Sequence, residues 1–191
     1  MESLRRGFKT WCENAARGYR RDLNLQIRDA LDPRLLANHL GIKVWRTVDV
    51  PGLDQKVLQQ LTVVDNDSWS AVTLRLEASD LIIINETHVA GRQNNTIAHE
   101  LSHIILKHEP TQVFFTPDGM MMLAHYNKTF EKEADCLAGT LLVPRESLLF
   151  HLDQGRDDRW LANYFGVTTQ LIQMRRNMTG VDLQRSRRRR A

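Results

Sequence analysis

His99, Glu100 and His103, in the stretch NNTIAHELSHIILKHEP, are the residues whose types and spacing are best suited to chemistry. On a helix, positions four apart project from one side, one turn above the other, which is the spacing two ligands of a single ion need. Glu100 lies beside the pair and can reach a water without itself ligating. This is the HExxH arrangement, with two neutral imidazoles on zinc and a carboxylate as general base. Such an ion brings the pKa of its water down to about 7. Glu100 would then take the proton as the water attacks a peptide carbonyl and hand it to the leaving amine. His108, nine residues from His99, points to the other side of the helix on the same geometry and is expected to stay outside the site.

Two histidines do not complete a catalytic zinc site, which takes three protein ligands and an open position. The stretch FEKEADCLAGTLLVP offers Glu131, Glu133 and Asp135. Phe130, Ala134, Leu137, Ala138 and Leu141 define the buried face of a helix there. Glu131 sits at the edge of that face and Asp135 one turn further along the same side. Glu133 is rotated about 200° from Glu131 and is expected at the surface. Geometry therefore selects Glu131 as third ligand and leaves Asp135 to hydrogen-bond the second ring nitrogen of a ligating histidine, fixing its tautomer. His125 and Tyr126, a few residues before Glu131, are candidates to stabilise an oxyanion, although loop residues with no catalytic role are the simpler reading.

The elements that must hold these residues follow from periodicity. Apolar positions recur at helical spacing over 3–23, and a second helix opens at Asp32-Pro33 and stops at Gly41. Residues 43–48, 60–64, 69–76 and 81–85 are expected strands, separated by Pro51-Gly52, Asn66-Asp67 and Ser79-Asp80. LIIIN, a continuous apolar run, suits an inner strand covered on both faces. SAVTLRL alternates, with Val72, Leu74 and Leu76 opposite Ala71, Thr73 and Arg75, and suits an edge strand. A sheet edge of that kind is where an extended substrate peptide would add. Helices are expected over 95–108, capped by Asn94 or Asn95, and 129–142, with a helical pair over 157–178. Helices, then a small mostly antiparallel sheet, then helices argue an α+β fold.

The 191 residues suit one domain with a small appendage, and apolar and charged shares of 42% and 26% are those of a soluble globular chain. No stretch approaches the roughly 18 apolar residues of a membrane span. The opening MESLRRGFKTWCENAARGYRR lacks a signal peptide's apolar middle, and Cys12 and Cys136 fit no CxxC spacing. These features predict a cytoplasmic protein without a membrane partner. Lys and Arg number 26 against 23 Asp and Glu. Five of the basic residues (Arg185, Arg187, Arg188, Arg189 and Arg190) crowd the tail, so the rest of the chain is slightly acidic. Such a tail can touch nucleic acid electrostatically, though a solvated end is the simpler reading.

With these residues in view, the chain resembles the ImmA/IrrE family of HExxH metallopeptidases. The carriers are TIAHELSHIILKH (96–108) and FEKEADCLAGTLLVP (130–144), with the apolar strand ending in Asn85 before them. Weaker likeness extends to LLANHLGIKV (35–44) and LANYFGVTTQLIQMRRNMTG (161–180). The resemblance implies His99, His103 and Glu131 as zinc ligands and Glu100 as base, the set that helix geometry also selects. The spacing of Glu131 and Asp135 occurs in thermolysin-like zincins generally. The resemblance further implies a minimal zincin fold in a cytoplasmic protein that cleaves helix-turn-helix transcriptional repressors. The domain reading is then a zincin-like metallopeptidase domain over 1–150, a helix-turn-helix-like pair over 151–181 and a disordered basic tail over 182–191.

A reading from another class rests on DRWLANYFGVTTQLIQMRRNM, a helix, a turn through Gly166-Val167 and a helix capped by Thr168. Thr169, Gln170, Arg175 and Arg176 would face a DNA major groove in a helix-turn-helix reader. Against it, Trp160, Leu161, Tyr164, Phe165, Leu171 and Ile172 suit packing on a neighbouring layer, and the body lacks excess positive charge. A non-catalytic metal-binding partner protein is the third alternative.

Overall fold

A central strand of three isoleucines organises the sheet. The structure, a computed structural model, describes residues 4–76, 79–109, 112–115, 121–124 and 127–188. Helix α1 (Phe8–Asp22) and helix α2 (Pro33–His39) lead into strand β1 (Lys43–Arg46), and a short helix α3 (Gln55–Gln59) precedes β2 (Ala71–Arg75) and β3 (Asp80–Ile84). The sheet order is β1-β3-β2. β1 runs parallel to β3, with Val44 opposite Ile82, and β2 runs antiparallel to it, with Thr73 opposite Ile82. Leu81, Ile82 and Ile84 are all buried, which is why this strand reads as a continuous apolar run whereas β2, at the edge, alternates.

Helix α4 (Ala90–Ile105) follows, then a two-stranded antiparallel ribbon, β4 (Gln112–Phe115) and β5 (Met121–Ala124), and helix α5 (Lys128–Leu142). Helices α6 (Arg145–Asp153), α7 (Asp158–Phe165), α8 (Thr169–Thr179) and α9 (Val181–Arg188) complete the chain. The arrangement is α+β. Two apolar clusters meet along α4 and α5. Ile97, Leu101, Leu137 and Leu141 pack with α1, α2 and β3 on one side. Ala98, Ala138 and Leu142 pack with Leu148, Leu161, Phe165 and Ile172 of α6–α8 on the other. Each fully buried Leu, Ile or Phe contributes roughly 1.5–3 kcal/mol, so this shared helix pair is held rigidly from both faces. That rigidity is what a metal site requires.

Four expectations are corrected. Residues 60–64 form no strand: Asp54 caps α3 by accepting from the Lys56 amide, and the helix widens into a π segment over Gln60–Val64. Its β-branched composition suggested a strand, but Val63 and Val64 are exposed and the segment has no strand beside it in the sheet. The tail is not disordered from 182. Val181 is buried, Arg185 pairs with Asp153 at 3.0 Å, and Arg188 reaches the same carboxylate at 3.6 Å, so charge neutralisation holds α9 against α6. Residues 189–191 lie outside the described residues. The boundary expected at 150 falls inside α6, whose Leu148 and Leu152 join the cluster built by α7 and α8. Lastly, α4 begins at Ala90 without a side-chain cap. Asn94 and Asn95 instead donate to Gly166 O and Thr168 Oγ1, each at 2.9 Å, tying the α7–α8 turn to α4 one turn ahead of His99. A Cβ at Gly91 would stand 2.9 Å from the Val167 backbone, so only glycine permits this approach.

Candidate metal centre

Helix α4 presents His99 and His103 on one side, and the first turn of α5 brings Glu131 across to them. Asn127 fixes that turn, its side chain accepting from the Thr129 and Phe130 amides. His99 Nε2 lies 3.0 Å from His103 Nε2 and 3.2 Å from Glu131 Oε2, and His103 Nε2 lies 3.6 Å from Glu131 Oε1. Ligands about 2.0–2.1 Å from a tetrahedral zinc stand about 3.3 Å apart. The three separations bracket that value, and the donor set of two nitrogens and a carboxylate suits the ion, so these residues fit it. His99, His103 and Glu131 keep 26%, 21% and 31% of their side-chain surface exposed, which leaves one side of the triangle open to water and substrate.

The electrostatics suit a cation. Burial works against a charged His99, but the hydrogen bond and charge of Asp135, with the charges of Glu100 and Glu131, outweigh it and raise its pKa above the usual value. Burial, together with the neighbouring His99 and His108, holds His103 down at about 4, so its imidazole is neutral near pH 7, the form that ligates. Asp135 Oδ1 sits 3.0 Å from His99 Nδ1. A carboxylate there puts the proton of the neutral ring on Nδ1 and the lone pair on Nε2, facing the site. Asp135→Asn is expected to lower metal affinity by about 10–100-fold while leaving the melting temperature nearly unchanged at alkaline pH, where His99 is neutral and the exposed position can keep an amide oxygen as acceptor. Competition with a chromophoric chelator measures the first and thermal denaturation of the metal-free protein the second.

Glu100 lines the same cavity of about 280 Å³ together with His99, His103, Thr73, Arg75 and Phe130. Its Oε2 accepts a hydrogen bond from Thr73 Oγ1 at 2.5 Å. Thr73 was not singled out in the sequence. The signal available was its place on the polar face of an alternating strand, and the structure turns that polar face inward, leaving Val72, Leu74 and Leu76 exposed. The alternation thus marks the wall of a cleft rather than an apolar core face.

Two further expectations are corrected. His108 does not point away from the site: its Nδ1 lies 3.1 Å from His103 Nδ1, and its ring stacks on Phe130 with centroids 4.3 Å apart. The nine-residue extrapolation failed because α4 stops at Ile105 and Lys107 turns left-handed, with φ of 56°, swinging His108 back across the helix end. Glu133 is not at the surface but 8% exposed, with Oε2 3.3 Å from His108 Nε2 and Oε1 3.3 Å from Arg5 Nε. The face of α5 away from the ligands is covered by the chain before α1 rather than by water. His125 and Tyr126 lie outside the described residues.

A model of the Peptidase_M78 family, described as the IrrE N-terminal-like domain, matches residues 59–177, a span that contains all of the residues just described from Thr73 to Asp135. No curated protein matches the chain. Among solved structures, a Mycobacterium tuberculosis transcriptional regulator is similar with a TM-score of 0.52 at 15% sequence identity, over 85% of this chain and 45% of its own. That likeness is one of fold, and this chain spans less than half the length of that protein. No helix among the described residues is long and apolar enough to cross a membrane.

Proposed function

We propose that this chain, which belongs to the Peptidase_M78 family of IrrE N-terminal-like domains and is a metallopeptidase by that membership, is a zinc endopeptidase whose substrate is a regulatory protein. In this reading His99, His103 and Glu131 hold the ion, Glu100 is the general base and Asp135 orients His99. The observation that carries it is the convergence of one ligand atom from each of His99, His103 and Glu131 within 4.8 Å of one another, beside Glu100 in one open cavity. Bound zinc supplies Lewis acidity and an acidified water. Thr73 occupies one oxygen of Glu100, which leaves the other to accept the proton of the attacking water and return it to the leaving amine.

β2 is an edge of the sheet, and its Thr73 and Arg75 line the cavity. An extended substrate segment adding to this edge would cross the cavity beside Glu100. The family resemblance favours a helix-turn-helix repressor as that substrate, and the cytoplasm as the place of encounter. To test this, the protein is incubated with a panel of native helix-turn-helix repressors and a peptide library, with and without a chelator, and new N-termini are identified by mass spectrometry. Internal cuts in a repressor that vanish on chelation and return with zinc are expected. Cuts insensitive to the chelator would sink the metallopeptidase mechanism, and cuts confined to unrelated peptides would sink the substrate class.

The DNA-reading alternative keeps Thr169 and Gln170 exposed on α8 but loses its two arginines. Arg175 is 2% exposed, paired with Glu13 at 2.7 Å and donating to Val143 O. Arg176 is paired with Asp158 and Asp182. The turn between α7 and α8 is spent on α4. These contacts favour a supporting role for the helical pair.

A further inference from the structure

We infer that His108 and Glu133 orient His103 as a metal ligand, forming a carboxylate–imidazole–imidazole chain that does for the second histidine what Asp135 does for the first. The inference rests on the metal-centre reading above and deepens it.

The geometry assigns every proton in the chain. His103 Nε2 faces His99 and Glu131 and must carry a lone pair to ligate. Its proton therefore sits on Nδ1, and among the described residues the ring nitrogen recorded within hydrogen-bond reach of it is His108 Nδ1, at 3.1 Å. One proton, not two, fits between those atoms, so His108 Nδ1 accepts and its own proton is on Nε2. There Glu133 Oε2, at 3.3 Å, accepts it. The opposite tautomers would turn a lone pair of His108 toward the Glu133 carboxylate and point a proton of His103 at His99, which blocks ligation. Glu133 thus selects the tautomer of His103 through His108, as an outer carboxylate does for a directly bonded histidine.

The chain is built rather than incidental. The His108 and Glu133 side chains are 4% and 11% exposed, so water does not compete for these bonds. Phe130 stacks flat on the His108 imidazole, at an interplanar angle of 6°, which fixes the direction of both ring nitrogens. Arg5 on the far oxygen of Glu133 offsets the charge that burial would otherwise penalise. The two ligating histidines are therefore held differently: Asp135 is exposed and bonds His99 directly, whereas Glu133 is buried and acts through a second ring.

The test separates this role from packing. In His108→Phe the stack on Phe130 is kept and the acceptor is lost; in His108→Asn the stack is lost, but an amide oxygen stands close to the place of Nδ1. Zinc affinity is measured by chelator competition, the visible spectrum is taken with cobalt(II) alone, and thermal denaturation of the metal-free forms reports folding. The expected order is wild type, then His108→Asn close behind with a wild-type-like cobalt spectrum, then His108→Phe about 10–100-fold weaker with an altered spectrum. Wild-type affinity and spectrum in His108→Phe would overturn the inference, and so would His108→Asn binding as weakly as His108→Phe. Wild-type protein that binds no zinc, or His103→Ala that binds it unimpaired, would instead remove the metal centre itself and the inference with it.

Discussion

Replacing Glu100 by glutamine is expected to leave the metal content and melting temperature unchanged and to lower peptide hydrolysis by about 10²–10⁴-fold. The substitution is isosteric, and the amide oxygen can still accept from the Thr73 hydroxyl, so the wall of the cavity stays in place. None of the three proposed ligands is touched. What disappears is a group able to take a proton from water and return it to the amine. Steady-state cleavage of a repressor substrate, with metal analysis and thermal denaturation on the same preparation, gives the comparison. Near-native turnover by a folded, metal-loaded Glu100→Gln protein would mean that another residue is the base.

Glu131→Gln is expected to weaken zinc binding beyond the roughly 100-fold upper range for an outer partner and to abolish hydrolysis with it. The carboxylate is the only anionic group among the three that converge, and a neutral amide is a poor substitute for it on a dication. Glu133→Gln, two residues away, is expected to cost far less, because Glu133 meets His108 rather than the centre itself. Zinc titration of the two variants side by side reads this directly. A larger loss from Glu133→Gln than from Glu131→Gln would move the third ligand and overturn the placement of the ion.

Helical periodicity made His99, Glu100, His103, Glu131 and Asp135 legible as one constellation, because within a helix the rotation per residue is constant. It failed at His108 for the same reason: the extrapolation assumed that α4 continued, and a left-handed Lys107 ended it. For Glu133 the periodicity gave a direction but not what lies there, since Arg5 and His108 arrive from segments distant in sequence. In the sheet, the uninterrupted LIIIN run marked the inner strand correctly. SAVTLRL was legible as an edge strand, but its apolar residues face outward, because the inner face of that edge borders a cleft and carries Thr73. QLTVV was misread because β-branched residues favour strands only where a neighbouring strand exists to receive them, whereas Asp54 had already started a helix. Over 182–188 the tail was misread because composition does not register a partner such as Asp153.

Anomalous diffraction at the zinc edge from crystals of the zinc-loaded protein tests the central claim most directly. A single strong peak is expected, within bonding distance of His99 Nε2, His103 Nε2 and a Glu131 oxygen, with Glu100 close by but not bonded to it. Absence of a peak at this position, or a peak held by Glu133, His108 or Glu100 in place of Glu131, would contradict the account.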